Sequence, residues 1–505
     1  VRRTVRAAFG QRRKMLRNSL GPLAEEAGRP LPAGLAERPR FDLLRVPVVG
    51  ALLRRPATRL VARLLLLALA VAMMLHGWLG SQLAPKNLAT LLTWVHYRGL
   101  LVLAVLVAGN VFCYSCPIVL VRDGLRRIFH PALRWPRRLR NKWAAAALFA
   151  GVLFSYELFD LWGDPWLTAW LIFGYFAAGA VVDTLFRGAT FCKYLCPVGQ
   201  FNFLAATVAP LEVAVRDTDV CATCVGKECI TGRAATPAAP ARRGCELVLF
   251  QPKKVGNLDC TGCLDCVYAC PHDNVGLLAR TPGAELDAPG HRSGLGRPAE
   301  RADLAFLSTL FVFGALLNAF GMVSPVYTVE RWLAGALGTT SEAPVLATLF
   351  AGALVVEPLL LMALAAWGFR RLTADRRTLP RIAMRYAYSL VPLGFGVWLS
   401  HYLFHFLTGA LTAVPVAQSL AGGLLGAPAW TLAGLPEEAV LPVELGFLGL
   451  GLAVTLAVTW RMAAADAPRR PLAGFLPWAA LDGALFAAAV WLLAQPMEMR
   501  GTFLG

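Results

Sequence analysis

The chain alternates between long apolar stretches and short basic ones. A membrane-crossing helix needs about 20 mostly apolar residues, and nine stretches meet that length: 61–80, 92–112, 143–162, 166–186, 304–323, 343–369, 383–411, 444–463 and 474–495. The third and fourth are joined only by the turn Trp162-Gly163-Asp164-Pro165. Between the fourth and fifth, residues 211–303 are polar, rich in Gly, Pro and Cys, and contain no apolar run long enough to span. The expected fold class is therefore mainly α: a polytopic helical membrane protein with about nine transmembrane helices and an inserted polar, cysteine-rich module. The pattern divides the chain into a basic segment (1–59), a four-helix membrane domain (60–210), the inserted module with its linker (211–303), and a five-helix membrane domain (304–505). Within the insert, Thr231–Arg243 reads as a flexible loop between cysteines and Thr281–Arg301 as a linker back to the membrane.

Lys and Arg in short loops set the orientation of such a chain. The loop after the second stretch holds Arg122, Arg126, Arg127, Arg134, Arg137, Arg138, Arg140 and Lys142. Arg370, Arg371, Arg376, Arg377, Arg381 and Arg385 follow the sixth, and Arg461, Arg469 and Arg470 follow the eighth. The alternate loops offer only Lys86 and Arg331. Nine crossings with a cytoplasmic N-terminus put every basic loop, and the inserted module, on the cytoplasmic side of a bacterial inner membrane, with the C-terminus periplasmic.

Composition agrees. The 505 residues are 57% hydrophobic and 16% charged, with a mean hydropathy of +0.55, against about 25% charged for a soluble domain. The net charge of +18 sits between apolar segments, so it reads as membrane orientation and not as nucleic-acid binding. No secretory signal is expected ahead of the first span. The stretch Phe9–Leu20, FGQRRKMLRNSL, resembles the C-terminal tail of the rRNA dimethyladenosine methyltransferases and brings no function with it.

All twelve cysteines lie between Cys113 and Cys270. On a cytoplasmic segment, C-x-x-C spacing reads as metal ligation and not as disulfides. Cys260, Cys263, Cys266 and Cys270, followed by Pro271, form the C-x2-C-x2-C-x3-C-P run of bacterial ferredoxins, in which the fourth cysteine serves the other cluster. Its partner motif is Cys221, Cys224 and Cys229, then Cys245 after fifteen further residues. The inserted module is therefore expected to be a ferredoxin-like α+β two-cluster module, with ligand sets Cys221, Cys224, Cys229 and Cys270 for one [4Fe–4S] cluster, and Cys245, Cys260, Cys263 and Cys266 for a second. A zinc ribbon, with two C-x2-C pairs, is the alternative. His272, after Cys270-Pro271, reads as a surface residue or as a group tuning cluster potential.

Four cysteines remain, Cys113 and Cys116 in FCYSCP and Cys192 and Cys196 in FCKYLCP. Each pair ends an even-numbered span, so together they are candidates for an additional iron–sulfur or metal site at the membrane face; the alternative is buried structural thiols. Two spans ending in Cys-Pro motifs, followed by a two-cluster module, resemble the NapH/NosR-type membrane-bound polyferredoxins over residues of about 90 to 280. Cys192-x3-Cys196-Pro197 matches that family's C-x3-C-P element, whereas Cys113-x2-Cys116-Pro117 is one residue shorter. The resemblance implies electron exchange with the quinone pool, as in a quinol dehydrogenase-like oxidoreductase subunit. The five C-terminal spans exceed that family's shorter plan, and its periplasmic flavin-binding region is missing.

Candidates for a quinone or b-type haem site are His76, His96, His401, His405 and Glu357. The four histidines fall toward the outer side, and an ionisable group such as Glu357 is costly within a span. The expected function is electron transfer between the quinone/quinol pool and a redox partner protein. A redox-active assembly or regulatory factor for another respiratory metalloenzyme is the alternative.

Overall fold

A computed structural model describes residues 40–496 apart from 238, 239, 289 and 423; most of the basic N-terminal segment, including Phe9–Leu20, lies outside the described residues. Contacts divide the chain into Val1–Asp42 and Leu43–Gly505, and every helix and strand named below belongs to the second unit.

The protein is mostly helical, with 67% helix and 4% strand. In chain order the principal helices are α1 (Pro56–Leu79), α2 (Leu88–Ala108), α3 (Pro117–Leu125), α4 (Trp143–Leu158), α5 (Pro165–Leu185) and α6 (Pro197–Ala205), then α7 (Ala302–Phe320), α8 (Glu342–Thr373), α9 (Leu379–Thr408), α10 (Glu437–Asp466) and α11 (Pro471–Leu493). Among the described residues eight of them are long and apolar enough to cross a membrane. The third expected span is shorter than its apolar run: α4 has 16 residues, about 24 Å at 1.5 Å per residue, against a hydrocarbon thickness of about 30 Å. It stops at Leu158 because the next residues form a turn in which Asp160 takes a left-handed φ of 49°.

Helix starts follow the local sequence. Proline occupies the first turn of α1, α3, α5, α6 and α11, where its missing N–H costs nothing. The Asp164 side chain accepts from Leu167 N at 2.8 Å, capping α5. Two helices widen locally to an i→i+5 turn, at Leu91–Tyr97 in α2 and Gly352–Val356 in α8. The second immediately precedes Glu357-Pro358, where the proline cannot supply the regular N–H.

At the centre of the bundle are α7 and α9. In their most apolar windows 83% and 78% of residues are buried, against 17% for α1. The Trp398 indole donates to Phe311 O at 2.8 Å, tying α9 to α7. Gly451 of α10 lies so close to α9 that an added Cβ would meet Pro392 O at 2.9 Å, a small-residue approach of the kind that lets apolar helices pack backbone to backbone.

The cysteine-rich segment is closed by a two-stranded antiparallel sheet, β1 (Leu211–Val215) and β2 (Val275–Ala279), with Leu211 opposite Ala279 and Val215 opposite Val275. Residues 281–301, expected as a linker, form a packed strap. Its Glu285 carboxylate is 1% exposed, pairs with Arg280 at 2.7 Å and accepts from Asn257 N and Leu258 N at 2.8 and 3.1 Å, while Leu286 and Leu295 join the main core. Composition marked the strap as loose because it is rich in Gly and polar groups. Those polar groups are the ones that satisfy the cysteine loop's backbone.

Lys142, at the start of α4, carries the loop onto the membrane helices. Its Nζ lies 2.6 Å from Asp259 Oδ1, with the two side chains 2% and 1% exposed, and also donates to Lys193 O at 2.6 Å. Burial lowers the lysine's pKa, opposed by the Asp259 charge. Breaking one partner of a buried ion pair strands the other. Lys142→Met is therefore expected to destabilise the protein by about 3–5 kcal/mol, with Lys142→Met/Asp259→Leu recovering much of the loss, as read by thermal unfolding in detergent.

Candidate metal centres

The twelve thiols form three groups of four, each built by local backbone rules. In the first, two similar pieces of chain meet. The Asn110 side chain caps the turn after α2 by accepting from Cys113 N at 3.3 Å, and Cys116-Pro117 opens α3. Correspondingly, Cys196-Pro197 opens α6, with Cys196 Sγ accepting from Gly199 N at 3.2 Å. Thus one thiol of each pair sits at a helix N-terminus, where the exposed N–H groups and helix dipole favour a thiolate. Cys113, Cys116, Cys192 and Cys196 interact electrostatically with one another, and Asn202 Nδ2 reaches Cys113 Sγ at 3.7 Å.

The second group is Cys245, Cys260, Cys263 and Cys266, also mutually within electrostatic reach. Its loop is wound tightly through left-handed residues, Asp259, Gly262 and Leu264, with φ of 63°, 61° and 61°. At Gly262 an added Cβ would meet Asn110 O at 3.0 Å, so the loop lies directly on the turn that carries Cys113. In the third group, Cys221, Cys224, Cys229 and Cys270 surround one small pocket. Asn274 donates to two of its sulfurs, through Nδ2 to Cys221 at 3.2 Å and through its backbone N to Cys270 at 3.4 Å.

The groups form a row. Asn110 Nδ2 donates to Cys260 O at 3.2 Å, and Cys113 and Cys260 interact across that joint. Cys245 N donates to Cys229 O at 2.9 Å, joining the second group to the third. All twelve cysteines are free of disulfides.

Burial pushes the Cys113 thiol up to about 12 and raises Cys116, Cys192, Cys196, Cys245, Cys263 and Cys266 as well. Buried thiols of this kind ionise only against compensating positive charge. Nearby cations meet that need in part. Arg63 and Arg122 both lower the pKa of Cys116, and Lys193 does so for Cys245. Arg122 is 2% exposed and paired with Asp123 at 2.8 Å, Glu246 at 2.8 Å and Asp183 at 3.6 Å. Arg59 of α1 pairs with Asp265 at 2.8 Å and donates to Cys263 O.

The donor set fits iron–sulfur clusters: soft thiolates, in fours, with sulfurs accepting backbone and amide N–H groups. Among the described residues no three His, Cys, Asp or Glu side chains converge closely enough to hold a single metal ion. A tetrahedral zinc with Zn–S bonds of about 2.3 Å requires that convergence, whereas four ligands on separate iron corners do not.

The quinone and haem candidates are placed less coherently. His401 and His405 lie edge to face, their ring centroids 4.9 Å apart. His401 is fully buried with neither ring nitrogen bonded, and His405 Nε2 is 3.2 Å from Met322 Sδ. Adjacent rings on one face of α9 cannot clasp a haem iron from opposite sides. His76 Nδ1 accepts from Leu88 N at 3.1 Å and so holds the α1–α2 turn. Glu357 is exposed on the outer face of α8; depth along a span, which hydropathy reads, does not say which way a side chain faces. Of the five, only His96 lines the main cavity. His272 is exposed but borders the third group's pocket.

That cavity, about 830 Å³, runs from the first thiol group up between α1, α2, α4 and α5. Along it the Arg98 guanidinium is caged by the rings of Trp94, Tyr156 and Tyr402 at 4.3, 4.4 and 4.9 Å. An arginine inside an apolar span is a visible sequence signal, and the sequence reading passed over it.

One family, described as a 4Fe-4S binding domain, matches residues 90–136 and 167–206. The match falls on the two Cys-Pro elements around Cys113, Cys116, Cys192 and Cys196, and not on the ferredoxin-type run. No curated protein and no solved structure matches the chain. Taken with the thiol geometry, the match supports an iron–sulfur protein whose apolar helices are those of a membrane protein.

The joint between the first two groups is open to a direct test. Gly262→Val places a branched side chain at a left-handed φ and against Asn110 O. It is expected to cost about 1–3 kcal/mol in backbone strain and to lower bound iron at both adjoining groups, read by iron assay on anaerobically purified protein.

Proposed function

We propose that this protein is a membrane-bound iron–sulfur electron carrier that passes electrons between the quinone pool and a partner protein, in the manner of the NapH/NosR-type polyferredoxins. What carries the reading is the row of three four-thiol groups, which begins at a cavity between apolar helices and ends at an exposed surface. Each group would hold a [4Fe–4S] cluster, supplying one-electron redox chemistry when bound. The ligands would be Cys113, Cys116, Cys192 and Cys196 at the membrane face; Cys245, Cys260, Cys263 and Cys266 next; and Cys221, Cys224, Cys229 and Cys270 outermost.

The surrounding residues serve three tasks. Arg59, Arg63, Arg122 and Lys193 offset the negative charge that thiolate-held centres bring into a poorly solvated region. Asn110, Asn202 and Asn274 donate hydrogen bonds to sulfur or to the ligand backbone, and such bonds tune reduction potential. Val225, directly after Cys224 and 94% exposed, marks the outer end, where a soluble redox partner would approach. Nine crossings with this end in the cytoplasm would satisfy the basic-loop bias.

The cluster count is tested by composition. Three cubanes require about twelve irons and as many acid-labile sulfides per chain, and Cys196→Ser is expected to remove about four of each without abolishing the other two signals in electron paramagnetic resonance. A second experiment separates electron exchange with quinone from a role in maturation or sensing. Anaerobic quinol should bleach the visible absorption of the purified protein, as dithionite does. Bleaching by dithionite with no response to any quinol would favour the assembly or regulatory role.

A further inference from the structure

We infer that the cavity beside the first thiol group is the docking site for an isoprenoid quinone, with the hydroxyls of Tyr97 and Tyr175 as its proton-exchanging contacts. The inference rests on the electron-transfer reading above and locates where that exchange occurs.

Size is the first argument. The cavity follows α1 from Arg59 to Met73 and α2 from Leu92 to Ala104. At 1.5 Å per residue these are runs of about 21 and 18 Å, far longer than four cysteines need to enclose one cubane. The extra length is apolar, walled by Leu66, Leu69, Ala70 and Met73 of α1 and by Ile172 and Phe176 of α5. Leu69 and Leu100, which also line it, are 43% and 54% exposed, so this apolar wall is not sealed inside the protein.

The second argument is the polar equipment at the thiol end. Tyr97 interacts electrostatically with Cys113, Cys116, Cys196 and Tyr175, and Tyr175 with Cys196. Both tyrosines line the cavity, and neither hydroxyl has a hydrogen-bond partner among the described residues. Two phenols from different helices, Tyr97 on α2 and Tyr175 on α5, thus line one space together with Cys113, Cys116, Cys192 and Cys196. A quinone ring needs hydrogen-bond donors for its two carbonyl oxygens and a one-electron centre close by; an acyl chain needs neither.

The backbone supports this placement. Tyr97 lies in the widened turn Leu91–Tyr97, a feature found often at functional sites and one that re-aims side chains. Without the extra residue in that turn, Tyr97 and Arg98 would be rotated around α2 relative to the helix below. Arg98, caged by three rings and lining the same cavity, adds a fixed positive charge without a carboxylate partner among the described residues.

The chemistry balances. In the direction of quinol oxidation, both O–H bonds of the quinol break and the ring becomes the quinone. Two electrons leave singly toward the oxidised iron–sulfur centre that the adjacent thiols would hold, and from there to a one-electron protein acceptor. Two protons leave by way of the Tyr97 and Tyr175 hydroxyls to water at the cavity's polar mouth, where Asp123, Glu246 and the exposed Arg243 lie.

The test uses the holoprotein, anaerobically, with a decyl-substituted benzoquinone and its quinol as probes. Tyr97→Phe and Tyr175→Phe are expected to bleach fully with dithionite but to slow quinol-driven bleaching by about a hundredfold, the scale of a lost proton-transfer group. Met73→Trp, which fills the apolar wall, is expected to abolish quenching of tryptophan fluorescence by the quinone while iron content stays unchanged. If quinol reduces the wild type and all three variants alike, with unaltered quinone binding, the site is elsewhere and electron exchange with quinone stands. If purified protein retains a phospholipid that the quinone cannot displace from this cavity, the docking assignment falls. If quinol never reduces the wild type, the underlying reading fails and takes this inference with it.

Discussion

Burying cysteine-bearing loops against the ends of apolar helices is the constraint around which this molecule is organised. Every cysteine whose ionisation is perturbed is pushed toward the neutral form, chiefly by burial. A chain that is to hold negatively charged centres there must deliver positive charge to the same place. Arg122 illustrates how this is achieved. It is almost wholly buried, it lowers the pKa of Cys116, and its guanidinium joins Asp123 on its own helix, Asp183 at the end of α5 and Glu246 in the cysteine loop. The ions that compensate the thiols thereby also bind three elements together, which makes the electrostatics of the site and the packing of the fold one problem.

A second regularity is the use of the same local device twice. In each half of the N-terminal membrane region, a span ends, a cysteine pair follows, and Cys-Pro starts a short helix packed under the next element. Proline at the first helical position and a thiol immediately before it place sulfur at the only end of a helix that favours negative charge. Two such ends facing each other create a four-thiol group that neither half could make alone. The family match covers these two pieces, so the group of Cys113, Cys116, Cys192 and Cys196, and not the ferredoxin-type run, is the portion that comparison with known families supports.

The C-terminal helices act on this site from a distance. Tyr402 of α9 completes the cage around Arg98, and Phe406 packs so closely on Gly99 that an added Cβ there would meet its Cβ at 2.2 Å. Extra spans beyond those needed to hold cysteines therefore shape a wall of the cavity and are not appendages to it.

Much of this was legible in the order of residues. Period and length of apolar runs located eight long helices and the shorter α4, because they depend on neighbours in the chain, and for the same reason thiol spacing singled out Cys260, Cys263 and Cys266 as one candidate ligand set. The assignment of Cys270 to the other set is likewise a proposal that the spacing makes. What the chain order could not state is which way a side chain points around a helix. Glu357 sits at a suggestive depth yet faces outward, His401 and His405 pack on each other, and Arg98, Tyr97 and Tyr175 turn inward around a shared cavity. Nor could composition reveal that residues 281–301 fold as a strap on Glu285. Rotation about a helix axis, and contacts between segments far apart in the chain, are set by the burial and charge balance of the whole, and only the tertiary structure decides them.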